Sequence, residues 1–159
     1  MKKIITIIIM SIFGFSAFAQ SAEVITEILE AKEVTYGQIS YLSAVHQNLI
    51  SETDSYEDAV KALYDNKQIP ALYDVTESIP VVNAVYIFSH MWNIKGGLMY
   101  KLTNGAPRYV FRQFQTDGII GASVEPKSHF SGAAALSMYT SCLRKYGSFD
   151  ITSVSMGEE

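Results

Sequence analysis

The amino-acid sequence predicts an all-α fold of two to three helix-loop-helix units in one compact domain, preceded by a signal peptide. Three observations carry that reading. Apolar residues recur at helical spacing in successive segments, and most segments are bounded by a capping residue or a helix stop. A pattern of apolar and capping positions between residues 59 and 91 returns 51 residues later without a gap. The first nineteen residues run from Lys2 and Lys3 through an apolar stretch, Ile4 to Phe15, to Ala17-Phe18-Ala19 ahead of Gln20, which is the order of a secretory signal. A membrane helix needs about 20 apolar residues, more than this run supplies. The expected organisation is a signal peptide over 1–19, a helical domain over 20–147 and a flexible tail over 148–159.

Ser21 is placed to cap a first helix with Val24, Ile25, Ile28 and Leu29 on one face and Glu23, Glu27, Glu30 and Lys32 on the other. Thr35-Tyr36-Gly37-Gln38 has the capping-box form, and Ile39, Leu42, Val45 and Leu49 follow at helical spacing to about Leu49. Ser51 to Ser55 breaks that helix, and Ser55 caps a third carrying Ala59, Val60, Leu63 and Tyr64, closed by Ile69-Pro70. Pro80 sits where the first turn of a helix tolerates it, ahead of Ala84, Ile87, Phe88 and Met91, with Asn93-Ile94-Lys95-Gly96-Gly97 as the stop, since Gly is favoured just past a helix end. The segment from Leu98 to Phe114 has two readings. Asn104-Gly105 suits a β-hairpin turn, whereas Pro107 followed by Phe111 and Phe114 suits a helix starting at Pro107. A last helix is expected from Ser131 to about Tyr146, with Ala135, Met138, Cys142 and Tyr146 on one side.

The 51-residue displacement favours the helix at Pro107. It carries Ala59-Val60-Lys61-Ala62-Leu63 and Ile69 onto Val110-Phe111-Arg112-Gln113-Phe114 and Ile120. It then carries Ile79-Pro80 onto Phe130-Ser131, Ala84 onto Ala135, Ile87 onto Met138 and Met91 onto Cys142. Within each unit a first helix ends in a turn with Ile at its exit, Asn66-Lys67-Gln68-Ile69 or Asp117-Gly118-Ile119-Ile120, and a loop leads to a capped second helix. This resembles the S-layer homology repeat over about residues 55–147, with Thr35 to Leu49 similar to the second helix of a preceding unit whose first helix is missing or diverged. The resemblance implies a three-fold helical prism. In that family the second helix opens with a Thr-Arg-Ala-Glu type motif whose Arg helps bind anionic cell-wall polymer. The openings here, Thr35-Tyr36-Gly37-Gln38, Pro80-Val81-Val82-Asn83 and Ser131-Gly132-Ala133-Ala134, have neither the Arg nor the Glu. The resemblance thus implies an exported helical module more than a polymer site.

Composition narrows the partners. Without residues 1–19 the chain keeps 10 Lys and Arg against 16 Asp and Glu, a net charge of −6. Nucleic acid is disfavoured, because its binding rests on many Lys and Arg phosphate contacts. No cysteine follows the apolar run, so no lipid anchor is expected, and the single Cys142 makes no intramolecular disulfide. Charge is uneven: residues 20–94 carry net −8, whereas 95–118 carry net +3 from Lys95, Lys101, Arg108 and Arg112 against Asp117.

Cys142 with His46, His90 and His129 invites a nucleophile or metal reading, but Cys142 falls on an apolar stripe, where cysteine behaves as a small hydrophobe. No HExxH, CxxC, GxSxG or Gly-rich phosphate loop occurs. Neither a cofactor nor a catalytic residue is assigned. The aromatic residues either fill the core or line a glycan groove. Gly96-Gly97 ahead of Leu98, Met99 and Tyr100 is either a packing crossover or a loop that presents those three side chains. Arg108 and Arg112 are four apart and share a helical face. With Leu98, Met99, Tyr100, Lys101 and Tyr109 they form the candidate partner-binding surface, unless the arginines simply pair with acids of the first helix. The expected function is a non-catalytic interaction or structural module of the cell envelope or periplasm, or outside the cell, binding another envelope protein. The alternatives are binding of an anionic cell-wall glycan and a small exported enzyme.

Overall fold

Helix ends in this chain are set by short-range hydrogen bonds that the sequence spells out. The computed structural model describes residues 22–94 and 106–147. Among them the chain is all-helical, with six helices and no strand. These are α1 (22–30), α2 (Tyr36–His46), α3 (Tyr56–Asp65), α4 (Val81–Met91), α5 (Pro107–Thr116) and α6 (Gly132–Tyr146). Thr35 and Gln38 form the expected capping box: the Gln38 N–H donates to Thr35 Oγ1 at 3.3 Å and the Thr35 N–H to Gln38 Oε1 at 3.2 Å. Ser55 does the same with Asp58, and the Ser131 hydroxyl accepts from the Ala134 N–H. Pro107 opens α5 as its first residue, so the helical reading of that region holds. Pro80 stands one position earlier than expected, as the N-cap of α4. Ser21, the signal segment, residues 95–105 with Gly96-Gly97 and Asn104-Gly105, and the 148–159 tail lie outside the described residues.

Four helices finish with one device. After α2, α3, α4 and α5 the residue past the cap takes a positive φ: Asn48 at 55°, Lys67 at 58°, Asn93 at 46° and Gly118 at 70°. In each case its N–H bonds three residues back and the next N–H bonds five back, as in Lys67 to Tyr64 and Gln68 to Leu63, or Gly118 to Gln115 and Ile119 to Phe114. This is the Schellman closure, which satisfies carbonyls left over at a helix end. It stops α2 at His46 rather than near Leu49. Within the expected stop of α4 it is Asn93 that takes the left-handed place, since asparagine tolerates that region.

The helix starts are linked to one another. The first four N–H groups of a helix have no partner inside it, and here several find one on a neighbouring loop. Tyr36 donates to the Glu77 carbonyl at 2.9 Å and Gly37 to Val75 at 3.1 Å, which seats α2 on the loop entering α4. Val81 donates to Ser128 at 2.9 Å and Val82 to Pro126 at 3.0 Å, which seats α4 on the loop entering α6. Gly132 donates to Ala31 at 2.8 Å, which seats α6 on the turn entering α2 and closes the ring. Between them, Ile79 donates to the Val34 carbonyl and Val34 to that of Phe130, both at 3.0 Å. The backbones come so close that a Cβ on Gly132 would lie 1.4 Å from the Ile28 oxygen, and one on Gly37 2.8 Å from the Val75 oxygen.

The core fills the space under this ring. α2 packs against α3 and α4, and α4 against α5. α2 is buried from Tyr36 through Ala44, which its sequence allows because the polar members are small or engaged. α3 buries Ala59, Val60 and Leu63, and α5 buries Val110, Phe111 and Phe114, the same three register positions 51 residues on. α6 buries Ala135, Met138 and Cys142, as expected. On α1 the expectation needs correction. Ile28 is fully buried and Val24 partly so, but Ile25 is 39% and Leu29 50% exposed. The covering surface is narrower than the apolar stripe, so only one edge of it meets the core.

Candidate functional site

α5 is the most amphipathic part of the fold that carries positive charge. With Val110, Phe111 and Phe114 turned inward, Arg108 and Arg112 are left exposed and Tyr109 half-buried. Arg108, Arg112, Phe111 and Gln115 line one side of a groove of about 480 Å³; Val82 from the first turn of α4, with Val124 and Pro126 from the loop before α6, lines the rest. The same hydrogen bond that seats α4, Val82 N–H to the Pro126 carbonyl, joins the two parts of that second wall. Gln115 braces the loop: its Nε2 donates to the carbonyls of Ala122 (3.1 Å), Val124 (3.4 Å) and Gly121 (3.5 Å). That amide nitrogen is therefore committed, and the guanidinium groups are the charged groups of the groove.

Pairing of the arginines with acids of α1 is not what the structure contains. Glu27 instead accepts from Gln38 Nε2 at 3.2 Å and from the Tyr56 hydroxyl at 3.1 Å, on the side of the fold formed by α2 and α3. Among the described residues neither arginine makes an ion pair; the salt bridge there is Lys145 with Asp117 at 2.9 Å. Burial pushes Asp117 up, but hydrogen bonds from Tyr146, Gln113 and Lys145 outweigh it and hold the carboxyl below the usual range. Of the sequence-predicted surface, Arg108, Tyr109 and Arg112 are thus placed, whereas Leu98, Met99, Tyr100 and Lys101 lie outside the described residues.

The residues considered for chemistry are spread through the core. Cys142 is fully buried, and burial together with the nearby Asp117 charge raises its thiol to about 12, which opposes a thiolate nucleophile. His46 lies in an aromatic cluster, its Nδ1 2.9 Å from the Tyr139 hydroxyl and its ring 5.0 Å from that of Trp92. His90 meets Tyr86 edge-on. Burial lowers both imidazoles. His129 is exposed in the loop before α6. Among the described residues no three His, Cys, Asp or Glu side chains gather to hold a metal ion, and no helix is long and apolar enough to cross a membrane.

One feature escaped the sequence reading. Tyr36 and Tyr73 stack with centroids 4.0 Å apart, and Asn83 Nδ2 donates to the Tyr36 hydroxyl at 2.6 Å. With Pro70, Tyr86 and Pro107 they border a cleft of about 300 Å³. Tyr36 opens α2, Pro70 and Tyr73 lie in the loop before α4, and Pro107 opens α5, so no local pattern announces the cleft. Comparison with known protein families, characterised proteins and solved structures finds no match.

Proposed function

We propose that this chain is an exported, non-catalytic interaction module of the cell envelope, built on an S-layer-homology-like scaffold and binding another envelope protein through the Arg108 and Arg112 face of α5. The observation that carries the reading is the groove itself: two exposed arginines above an apolar wall, on the one basic stretch of an acidic chain. What supports the scaffold reading is the ring of helix-start hydrogen bonds. The Val82–Pro126 and Val81–Ser128 bonds are the Gly37–Val75 and Tyr36–Glu77 bonds moved by 45 residues on the donor and 51 on the acceptor. In this reading α1 is the first helix of the first unit.

Polymer binding is the second reading, favoured by the same cationic groove. Against it stands the fate of the motif position: Tyr36, Val81 and Gly132 occupy the place of the arginine, and all three are buried at the ring.

The test is crosslinking of the mature protein in envelope extracts, wild type beside an Arg108→Glu, Arg112→Glu variant shown to be folded by circular dichroism. A protein captured by wild type, lost in the variant and rebound when purified is the expected result. Sedimentation of both forms with purified cell-wall polymer, with no protein captured, would overturn it in favour of the glycan reading.

A further inference from the structure

We infer that the groove beside α5 takes an extended peptide in which acidic and aliphatic side chains alternate, an inference that rests on the interaction-module reading above. The spacing of the arginines sets the register. Residues four apart on a helix are separated by about 6 Å along its axis. An extended chain returns to the same side every two residues, about 6.6–6.8 Å. Carboxylates at positions i and i+2 of such a peptide therefore meet Arg108 and Arg112 together. The intervening side chains point the other way, toward Val82, Val124 and Pro126.

The opposite wall decides between occupants. A single small anion, even one held by both guanidiniums, would leave the apolar wall bare. A glycan polymer would bring hydroxyls against the side chains of Val82, Val124 and Pro126, which offer them no hydrogen bond, and the Gln115 Nε2 is already given to loop carbonyls. Aliphatic side chains cover that wall without such a cost. Charge selects in the same direction: Arg108 and Arg112 are exposed cations beside the groove, on a chain whose residues 20–94 carry net −8, so an acidic segment is drawn to them.

The experiment is fluorescence anisotropy of the mature protein with three labelled peptides of equal length. One alternates Asp and Leu, one has the same composition in two blocks, and one alternates Asn and Leu. The alternating acidic peptide is expected to bind at least about tenfold more tightly than either other. Arg108→Gln, Arg112→Gln should weaken it about tenfold, as two partly exposed ion pairs would. Equal binding of the alternating and block peptides, or undiminished binding by the variant, overturns the inference. So does tighter binding of polyphosphate or purified cell-wall glycan than of the alternating peptide. If arginine-dependent capture of a protein partner persists while the alternating peptide fails, the peptide register falls and the interaction-module reading stands.

Discussion

Two segments of this molecule, 55–91 and 106–142, start their helices 51 residues apart, and they differ where they face solvent. Leu63 and Phe114, 51 residues apart, are both fully buried, and Ile69 and Ile120 both follow a Schellman turn into the core. Outside, the same positions diverge. Glu57 becomes Arg108 and Asp58 becomes Tyr109, so an acidic first turn with a capping box becomes a basic one opened by Pro107. What is shared sets the packing; what differs sets the charge presented to solvent. α4 and α6 show a second difference. α4, clasped between α2 and α5, also buries Val85 and Phe88, whereas Leu136 and Tyr139 at the matching places of α6 are only half-buried.

The largest expected effects test whether the shared positions do equal work. Phe114→Ala should cost about 4 kcal/mol and Leu63→Ala about 3 kcal/mol, the range for emptying a large buried side chain. Urea unfolding midpoints with unchanged slopes measure both. If either change proves silent, residues 51 apart do not carry matching roles. Gly132→Ala comes next, at about 3 kcal/mol, because its Cβ meets the Ile28 carbonyl and the helix start must move. At the matching place α4 has valine, so Val81→Ala should cost only the lost side chain, about 1–2 kcal/mol. A cost for Gly132→Ala no larger than that of Val81→Ala would show that the α6 junction is loose.

How much of this was legible follows from the range of each interaction. Caps at Thr35, Ser55 and Ser131, the start of α5 at Pro107 and the two turns ending in Ile69 and Ile120 are local, and the sequence marks each of them. The shared face of Arg108 and Arg112 follows from their spacing alone. Less legible was anything decided by a distant neighbour. The exposure of Ile25 and Leu29 depends on how little surface lies over α1. Glu27 is taken by Gln38 and Tyr56, which no spacing along α1 reveals. The apolar wall of the groove comes from Val82 and from Val124 and Pro126, about 40 residues away along the chain, so the site had only one wall in the sequence.

Titration separates the two segments again. His90 on α4 is lowered by burial, and its counterpart on α6 is Ser141. A histidine whose folded value lies below 6.5 leaves stability intact above that pH, and stability is lost as pH falls from 6.5 toward the folded value, because the unfolded chain takes the proton first. His46 acts in the same direction, against the rings of Trp92 and Tyr139. Thermal unfolding followed from pH 8 down to 5.5 should therefore show a falling Tm. Replacing His90 by serine should flatten part of the fall, with the His46 part remaining. A slope unchanged in His90→Ser would mean that His46 alone accounts for it, and that the two segments respond to acid alike.

The smallest effect is the sharpest comparison, because only one residue differs within one backbone geometry. Lys67 and Gly118 occupy the same left-handed position of the same turn, at φ of 58° and 70°. A side chain there costs about 1–2 kcal/mol, and glycine returns roughly 0.5–1 kcal/mol of that through the greater freedom it has when unfolded. Lys67→Gly is expected to stabilise the fold by about 0.5 kcal/mol. Gly118→Ala is expected to destabilise it by about 1 kcal/mol through the local backbone alone, since a Cβ at that place meets nothing else within 4 Å. Opposite signs in paired unfolding curves would make the two turns one device with different residues. Two changes of the same sign would show that the contacts around Lys67, rather than its φ, decide its energy.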